Sequence, residues 1–217
     1  MSKTLLLGPQ HEPSIADRDS NLIPNGEEQT RMIQIADHVG AILDLLQLDR
    51  KDPNLLGTPE RVAKMYFEMF HGLVEGAEPT VTTFPNEENY QAMVMERDIS
   101  FYSMCAHHLV PFYGHAHIAY IPNRRIVGLS KLPRILEFYA KRPQIQERLT
   151  EQIAHGIMDA IHADGVGVII EARHLCMMMR GVQKQNSMMV TSAVLGSFHD
   201  SAATRSEFLA LINRPHP

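Results

Sequence analysis

The sequence predicts an α+β fold: helices first, then an antiparallel sheet with two helices inserted between its strands. Three observations lead there. Apolar residues recur at three-and-four spacing from residue 32 to 46 and again from 62 to 73. From about residue 80 the texture changes to β-branched, aromatic and alternating residues, the mark of strands. Helical spacing returns between residues 130 and 161, with strand-like segments on either side.

In chain order, residues 1–26 are polar and broken by Pro9, Pro13, Pro24 and Gly26, which predicts a flexible N-terminal arm. Met32, Ile35, Ala36, Val39, Ile42, Leu43 and Leu46 then form one face of an amphipathic helix, ended by the turn chemistry of Asp52-Pro53-Asn54. Thr58 reads as an N-cap with Pro59 at the first helical position, and the helix that follows buries Val62, Met65, Tyr66, Met69, Phe70 and Leu73. Strands are expected over residues 80–84, 92–101 and 112–121. Ser130 can cap a helix that tolerates Pro133 in its first turn and closes at Lys141-Arg142-Pro143. Ile145, Leu149, Ile153, Ile157 and Ile161 mark a longer helix ending at Asp164-Gly165. Strands over 166–178 and 188–195 and a short helix over 204–213 complete the chain. This divides it into the arm (1–26), a helical region (27–78) and a catalytic domain (79–217).

With 44% hydrophobic residues, the chain of 217 can bury a substantial core, which argues against intrinsic disorder. A net charge of -5 argues against general nucleic-acid binding. Between Arg124 and Arg148, however, seven Lys/Arg face only Glu137 and Glu147, a local surplus suited to a small polyanion or simply to a solvated basic face. The start has only three consecutive large apolar residues, and no later stretch approaches membrane-spanning length. A soluble, cytoplasmic protein with no membrane partner is expected. In a reducing compartment its two cysteines are better suited to metal binding or catalysis than to a disulfide.

Those cysteines carry the chemistry. Cys105-Ala-His-His108 and His174-Leu-Cys176 each set a cysteine within two residues of a histidine. Thiolate and imidazole are the ligands zinc prefers, and three protein ligands leave a tetrahedral position open. Cys-x-x-His spacing lets a tight turn present Cys105 and His108 to one ion. On a strand from Val166, His174 and Cys176 would both emerge on the face of Val166, Val168, Ile170 and Ala172. Cys105, His108 and Cys176 are therefore the expected ligands, with His107 and His174 left beside the metal as proton-transfer groups. Either half alone is weak, since a buried free cysteine near a satisfied core histidine is common. No His-Glu-x-x-His helix and no Cys-x-x-Cys pair is present.

Five separated motifs narrow the choice: Thr58-Pro-Glu-Arg-Val-Ala-Lys64, Cys105-Ala-His-His108, Gly128-Leu-Ser-Lys131, Arg142-Pro-Gln-Ile-Gln-Glu-Arg-Leu-Thr150 and His174-Leu-Cys-Met-Met-Met-Arg-Gly181. In this order, over residues 30–212, the chain resembles the GTP cyclohydrolase I family. The resemblance implies zinc-dependent opening of the guanine imidazole ring of GTP, giving formate and 7,8-dihydroneopterin triphosphate, the entry step to folate and other pterins. It assigns the zinc to Cys105, His108 and Cys176 and proton transfer to His174, with His107 beside it. It implies that Glu147, with Gln146 next to it, reads the base, since one carboxylate can accept from both the ring N–H and the exocyclic amine of guanine. Ser130, Lys131, Arg134 and Arg180 would hold the triphosphate, joined by Arg61 and Lys64; for the last two, an ordinary exposed helix face is the alternative.

The resemblance also implies a tunnelling (T-fold) architecture, in which sheets from several subunits close into a barrel. It further implies a homodecamer with active sites between subunits. One departure is visible: most family members carry glutamate where this chain has Ala106, which leaves any proton-relay role of that carboxylate open. His115 and His117 receive no role, and Met177-Met178-Met179 reads as core and interface filling. The competing readings are a T-fold paralogue that binds a purine or pterin with different chemistry, and a module in which zinc only staples the fold. The last would need a fourth protein ligand.

Overall fold

The structure, a computed structural model, describes residues 26–215. The expected N-terminal arm lies almost wholly outside the described residues. Those that are described fall in two compact units that divide between His71 and Gly72.

The first unit is a helical pair. Helix α1 spans Gly26–Leu45 and α2 spans Thr58–Met69. The apolar face foreseen for α1 is only partly covered: Leu43 is buried, whereas Ile42 and Leu46 are exposed and Leu45 is 83% exposed. At the start of α2 the cap differs from expectation. Gly57, at a φ of 74° that favours glycine, holds the N-cap position, and Thr58 is already helical with Pro59 behind it. The Thr58 hydroxyl instead accepts a hydrogen bond from Arg61.

The second unit is mixed α+β. Strands β1 (Thr83–Pro85) and β4 (Arg125–Val127) form a small antiparallel pair. The main sheet contains β2 (Val94–Cys105), β3 (Pro111–Ile121), β5 (Pro143–Gln144), β6 (Gly165–His174) and β7 (Met189–Gly196), in the order β5-β2-β3-β6-β7. All its pairings are antiparallel except the short β5–β2 contact. Helices α3 (Lys131–Ala140) and α4 (Gln146–Ile161) are the two inserted between strands, as the sequence predicts.

Periodicity explains the packing. Val166, Val168, Ile170 and Ala172 alternate onto one face of β6, and Leu149, Ile153, Ile157 and Ile161 recur along one face of α4. These rows, with Leu132, Ile135 and Leu136 of α3, make the main core. On the opposite sheet face, a small cluster of Ala119, Phe198 and Phe208 seats two short helices, α6 (Ser197–Asp200) and α7 (Ala202–Ile212). Gly114 of β3 admits no side chain, because a Cβ there would meet the Glu171 carbonyl oxygen at 1.8 Å. Strands β4 and β5 were not foreseen and β1 starts only at Thr83, and beside the cysteines two strand ends move by four residues. Strand β2 runs on to Cys105, and β6 stops at His174, where the chain turns into the four-residue helix α5 (Leu175–Met178). Met177 and Met179 are exposed rather than core.

Candidate metal and proton-transfer site

Strand pairing sets up the site. Cys105 is the last residue of β2, and its amide donates to the Val110 carbonyl while its own carbonyl accepts from the amides of His108 and Leu109. That tight turn is what Cys-x-x-His spacing requires. On β6, His174 lies opposite Phe112 of β3, and the two rings stack at 4.5 Å with planes 1° apart. Cys176 then arrives from the first turn of α5, not from the strand face that alternation foresaw. A strand would carry residue 176 straight on, whereas the helical turn folds its sulfur back toward Cys105.

The result is compact. One ligand atom from each of Cys105, His108 and Cys176 lies within 4.8 Å of the others. The two sulfurs stand 3.9 Å apart, and neither cysteine forms a disulfide. Two thiolates bound to one tetrahedral ion at about 2.3 Å would be separated by about 3.8 Å, so the donor set fits such an ion. Cys105 is buried (4% exposed), Cys176 is half-buried and His108 is exposed, which leaves one side of the cluster open to solvent. Without a cation, burial and then the neighbouring Cys105 sulfur raise the Cys176 pKa, because two adjacent anions in a half-buried site are costly. A bound cation reverses that preference.

His107 lies beside the cluster, its Nδ1 3.9 Å from the Cys105 sulfur. Burial lowers the His174 pKa, and the nearby Glu147 carboxylate opposes that shift. Glu147 itself is exposed in the first turn of α4, while Gln146 beside it is only 1% exposed. The Gln146 side chain contacts His174 directly, with Oε1 2.8 Å from Nε2.

The residues foreseen for phosphate come from several elements. Ser130 is exposed at the N-cap position of α3, but its side chain makes no capping bond, contrary to expectation. Lys131 is buried (1% exposed) and Arg134 half-buried on the same helix, while Arg180 is exposed just beyond α5. Arg61 and Lys64 belong to the helical unit. There Arg61 donates to the Leu56 carbonyl and to Thr58, and Lys64 lies 3.9 Å from Glu68. His117, which sequence left without a role, is buried and accepts the Asp98 amide at its Nδ1, where β2 bulges.

The pattern of the family described as GTP cyclohydrolase I matches residues 35–213. The chain belongs to the GTP cyclohydrolase I family. Relatives of the family named "GTP cyclohydrolase 1" include one from Leptospira biflexa, 52% identical over 79% of this chain and 95% of that protein. Another, from Thermobifida fusca, is 46% identical over 94% of this chain and 97% of its own length. A third, from Streptococcus suis, is 51% identical over 79% of this chain and 94% of that protein. The family therefore covers both the helical pair and the sheet unit that carries the cysteines. A solved structure, "Crystal structure of the archaeosine synthase QueF-Like in the apo form", aligns at TM-score 0.39 and 15% identity over 48% of this chain and 93% of that one, too distant to support an argument.

Proposed function

We propose that this protein hydrolyses the imidazole ring of GTP to give formate and 7,8-dihydroneopterin triphosphate, with zinc as its metal, at the entry to tetrahydrofolate and pterin synthesis. The observation that carries the reading is the convergence of Cys105, His108 and Cys176 within 4.8 Å, next to a half-buried His174, in a member of the GTP cyclohydrolase I family. Two sulfurs and one imidazole are a zinc-type donor set, and the sulfur separation suits tetrahedral coordination. When bound, zinc supplies Lewis acidity and makes hydroxide available near neutral pH.

The chain's own residues do the rest. Cys105, His108 and Cys176 hold the ion. His174 gives a proton to the imidazole part of guanine, which makes its carbon 8 a better electrophile, and the depressed pKa makes its charged form a readier donor. His107, close to Cys105, serves the later proton transfers of ring opening and closure. Glu147 accepts from the ring N–H and exocyclic amine of guanine, so adenine would leave it unpaired. Ser130, Lys131, Arg134 and Arg180 hold the triphosphate, and Arg61 and Lys64 are further cationic candidates for phosphate.

The same reading makes the fold a T-fold whose sheets close into a barrel across subunits, in a homodecamer with sites between subunits. Supporting it, β7 is a terminal strand of the sheet, paired among the described residues with β6 alone, an edge that closure would cover. Two unpaired cysteines and an acidic net charge support a cytoplasmic enzyme without a nucleic-acid partner.

Incubating zinc-loaded protein with GTP and measuring formate together with oxidised, fluorescent neopterin tests the activity. Both products should appear, vanish on chelation and return with zinc. Protein that binds zinc and GTP yet forms neither product would overturn the reading.

A further inference from the structure

Gln146 stands beside the base-reading position in sequence, yet its amide is engaged inside the fold. Its Nε2 lies 3.0 Å from the Ile170 carbonyl, 2.9 Å from the Met189 carbonyl and 3.1 Å from the Thr191 hydroxyl oxygen. Carbonyl oxygens only accept, so the NH2 end of the amide must face them and cannot be exchanged with the oxygen end. The hydroxyls enforce the same direction. Thr150 donates to the Gln146 main-chain carbonyl at 2.7 Å, so Thr191, 2.7 Å from Thr150, gives its proton to Thr150 and can only accept from Gln146. Two N–H bonds thus meet three acceptors, and the donor end is saturated.

Oε1 is therefore turned toward His174 Nε2 at 2.8 Å. An amide oxygen cannot donate, so His174 must carry its proton on Nε2. Phe112, stacked flat on the imidazole at 4.5 Å, fixes the ring plane. We propose that Gln146 is a positioning residue that holds His174 as the Nε2–H tautomer, leaving Nδ1 as the nitrogen through which His174 exchanges a proton with substrate. This deepens, and rests on, the proton-transfer role given to His174 above. It separates two neighbours: Glu147 faces the substrate, while Gln146 faces inward and sets the chemistry of the histidine.

Strands β6 and β7 supply every partner of this one amide, so the histidine's tautomer is set by the fold and not by solvent. Loss of such an orienting partner lowers turnover by about 10- to 100-fold where its effect passes through another group.

Solid-state NMR of zinc-loaded protein carrying 13C- and 15N-labelled histidine, with His174 assigned by difference from His174→Ala, reads the tautomer through its ring carbon shifts. The wild type should show Nε2–H at His174, and Gln146→Met should show a mixture. Steady-state kinetics of Gln146→Met should show kcat down by about 10- to 100-fold with KM for GTP little changed. Gln146→Glu, whose protonated acid can donate to a strand carbonyl and accept from His174, should restore the tautomer. A wild-type His174 protonated on Nδ1, an unchanged spectrum in Gln146→Met, or a raised KM with kcat kept would overturn the proposal. The wild-type spectrum decides even if Gln146→Met does not fold. Failure of the wider reading looks different: His174→Ala would keep zinc and still release formate, whatever tautomer the wild type shows.

Discussion

The meeting of Cys105 and Cys176 was legible only from the two Cys-His segments taken together, because either one alone reads as readily as a buried thiol beside a core histidine. The pair meets across 71 residues of sequence, with 3.9 Å between sulfurs. Cys176→Ser replaces a soft thiolate by a hydroxyl that stays protonated at neutral pH. It should lose bound zinc and turnover together, as metal analysis beside the formate assay would show; retained stoichiometric zinc would mean that the ligand set is wrong. The engagement of Gln146 was not read from the sequence, although a signal was present. Gln146, Leu149, Thr150 and Ile153 fall at three-and-four spacing, so Gln146 lies on the buried face of α4 while Glu147 lies on the open one. A motif names both residues, but only helical phase says which one turns inward.

At the scale of elements, the inserted helices and the main strands followed from periodicity, whereas their ends did not. Alternation carried β6 through residue 178, but the strand stops at His174 because pairing with β3 ends at Phe112 and pairing with β7 ends at Ala172. No local residue announces that loss of partners. The pairing beside the site depends on Gly114, two residues from Phe112. Gly114→Ala forces Cβ into the Glu171 carbonyl, and the strands must part. The expected loss is about 3 kcal/mol, seen as a lower melting temperature with weakened activity. The C-terminal helix α7 depends on a different device. Arg97 of β2 donates to the carbonyls of Leu211, Ile212 and Arg214, satisfying the helix end that would otherwise need water. Arg97→Met should leave the Cys105, His108 and Cys176 cluster intact and speed amide exchange in α7, with opening made easier by about 1–3 kcal/mol. Unchanged exchange would show that the Phe198–Phe208 contact alone holds it.

For the molecule as a whole, the division into a helical pair and a sheet unit is visible as a change of texture near residue 80, some residues after the break at Gly72. Linker composition is a weak marker here, since Gly72 and Gly76 bracket no long polar stretch. Stability of the sheet unit should depend on pH through His117. Burial lowers its folded pKa below the ordinary 6.5, against the opposing pull of Asp98 and Glu171 and with help from His115 and Arg97. The unfolded chain then takes up a proton at a pH where the folded chain does not. Stability is thus fully present above about 6.5 and declines as pH falls toward the folded pKa. His117→Gln keeps an acceptor for the Asp98 amide but does not titrate. Its melting temperature should fall less steeply with acidification than that of the wild type, while the opposite tendency of half-buried Glu96 affects both proteins alike. Parallel curves would remove His117 as the cause.

The closeness of the two sulfurs also has a consequence for handling and for life in the cell. A disulfide needs about 2.05 Å between sulfurs, so a shift of under 2 Å from the observed 3.9 Å would join Cys105 to Cys176. While an ion occupies the thiolates, that route is closed. Once the ion leaves, peroxide or air can oxidise the pair, and the protein then needs a reductant before it can take up metal again. Loss of an ion from the cluster would therefore expose the pair to oxidation, and a thiol reductant would restore it.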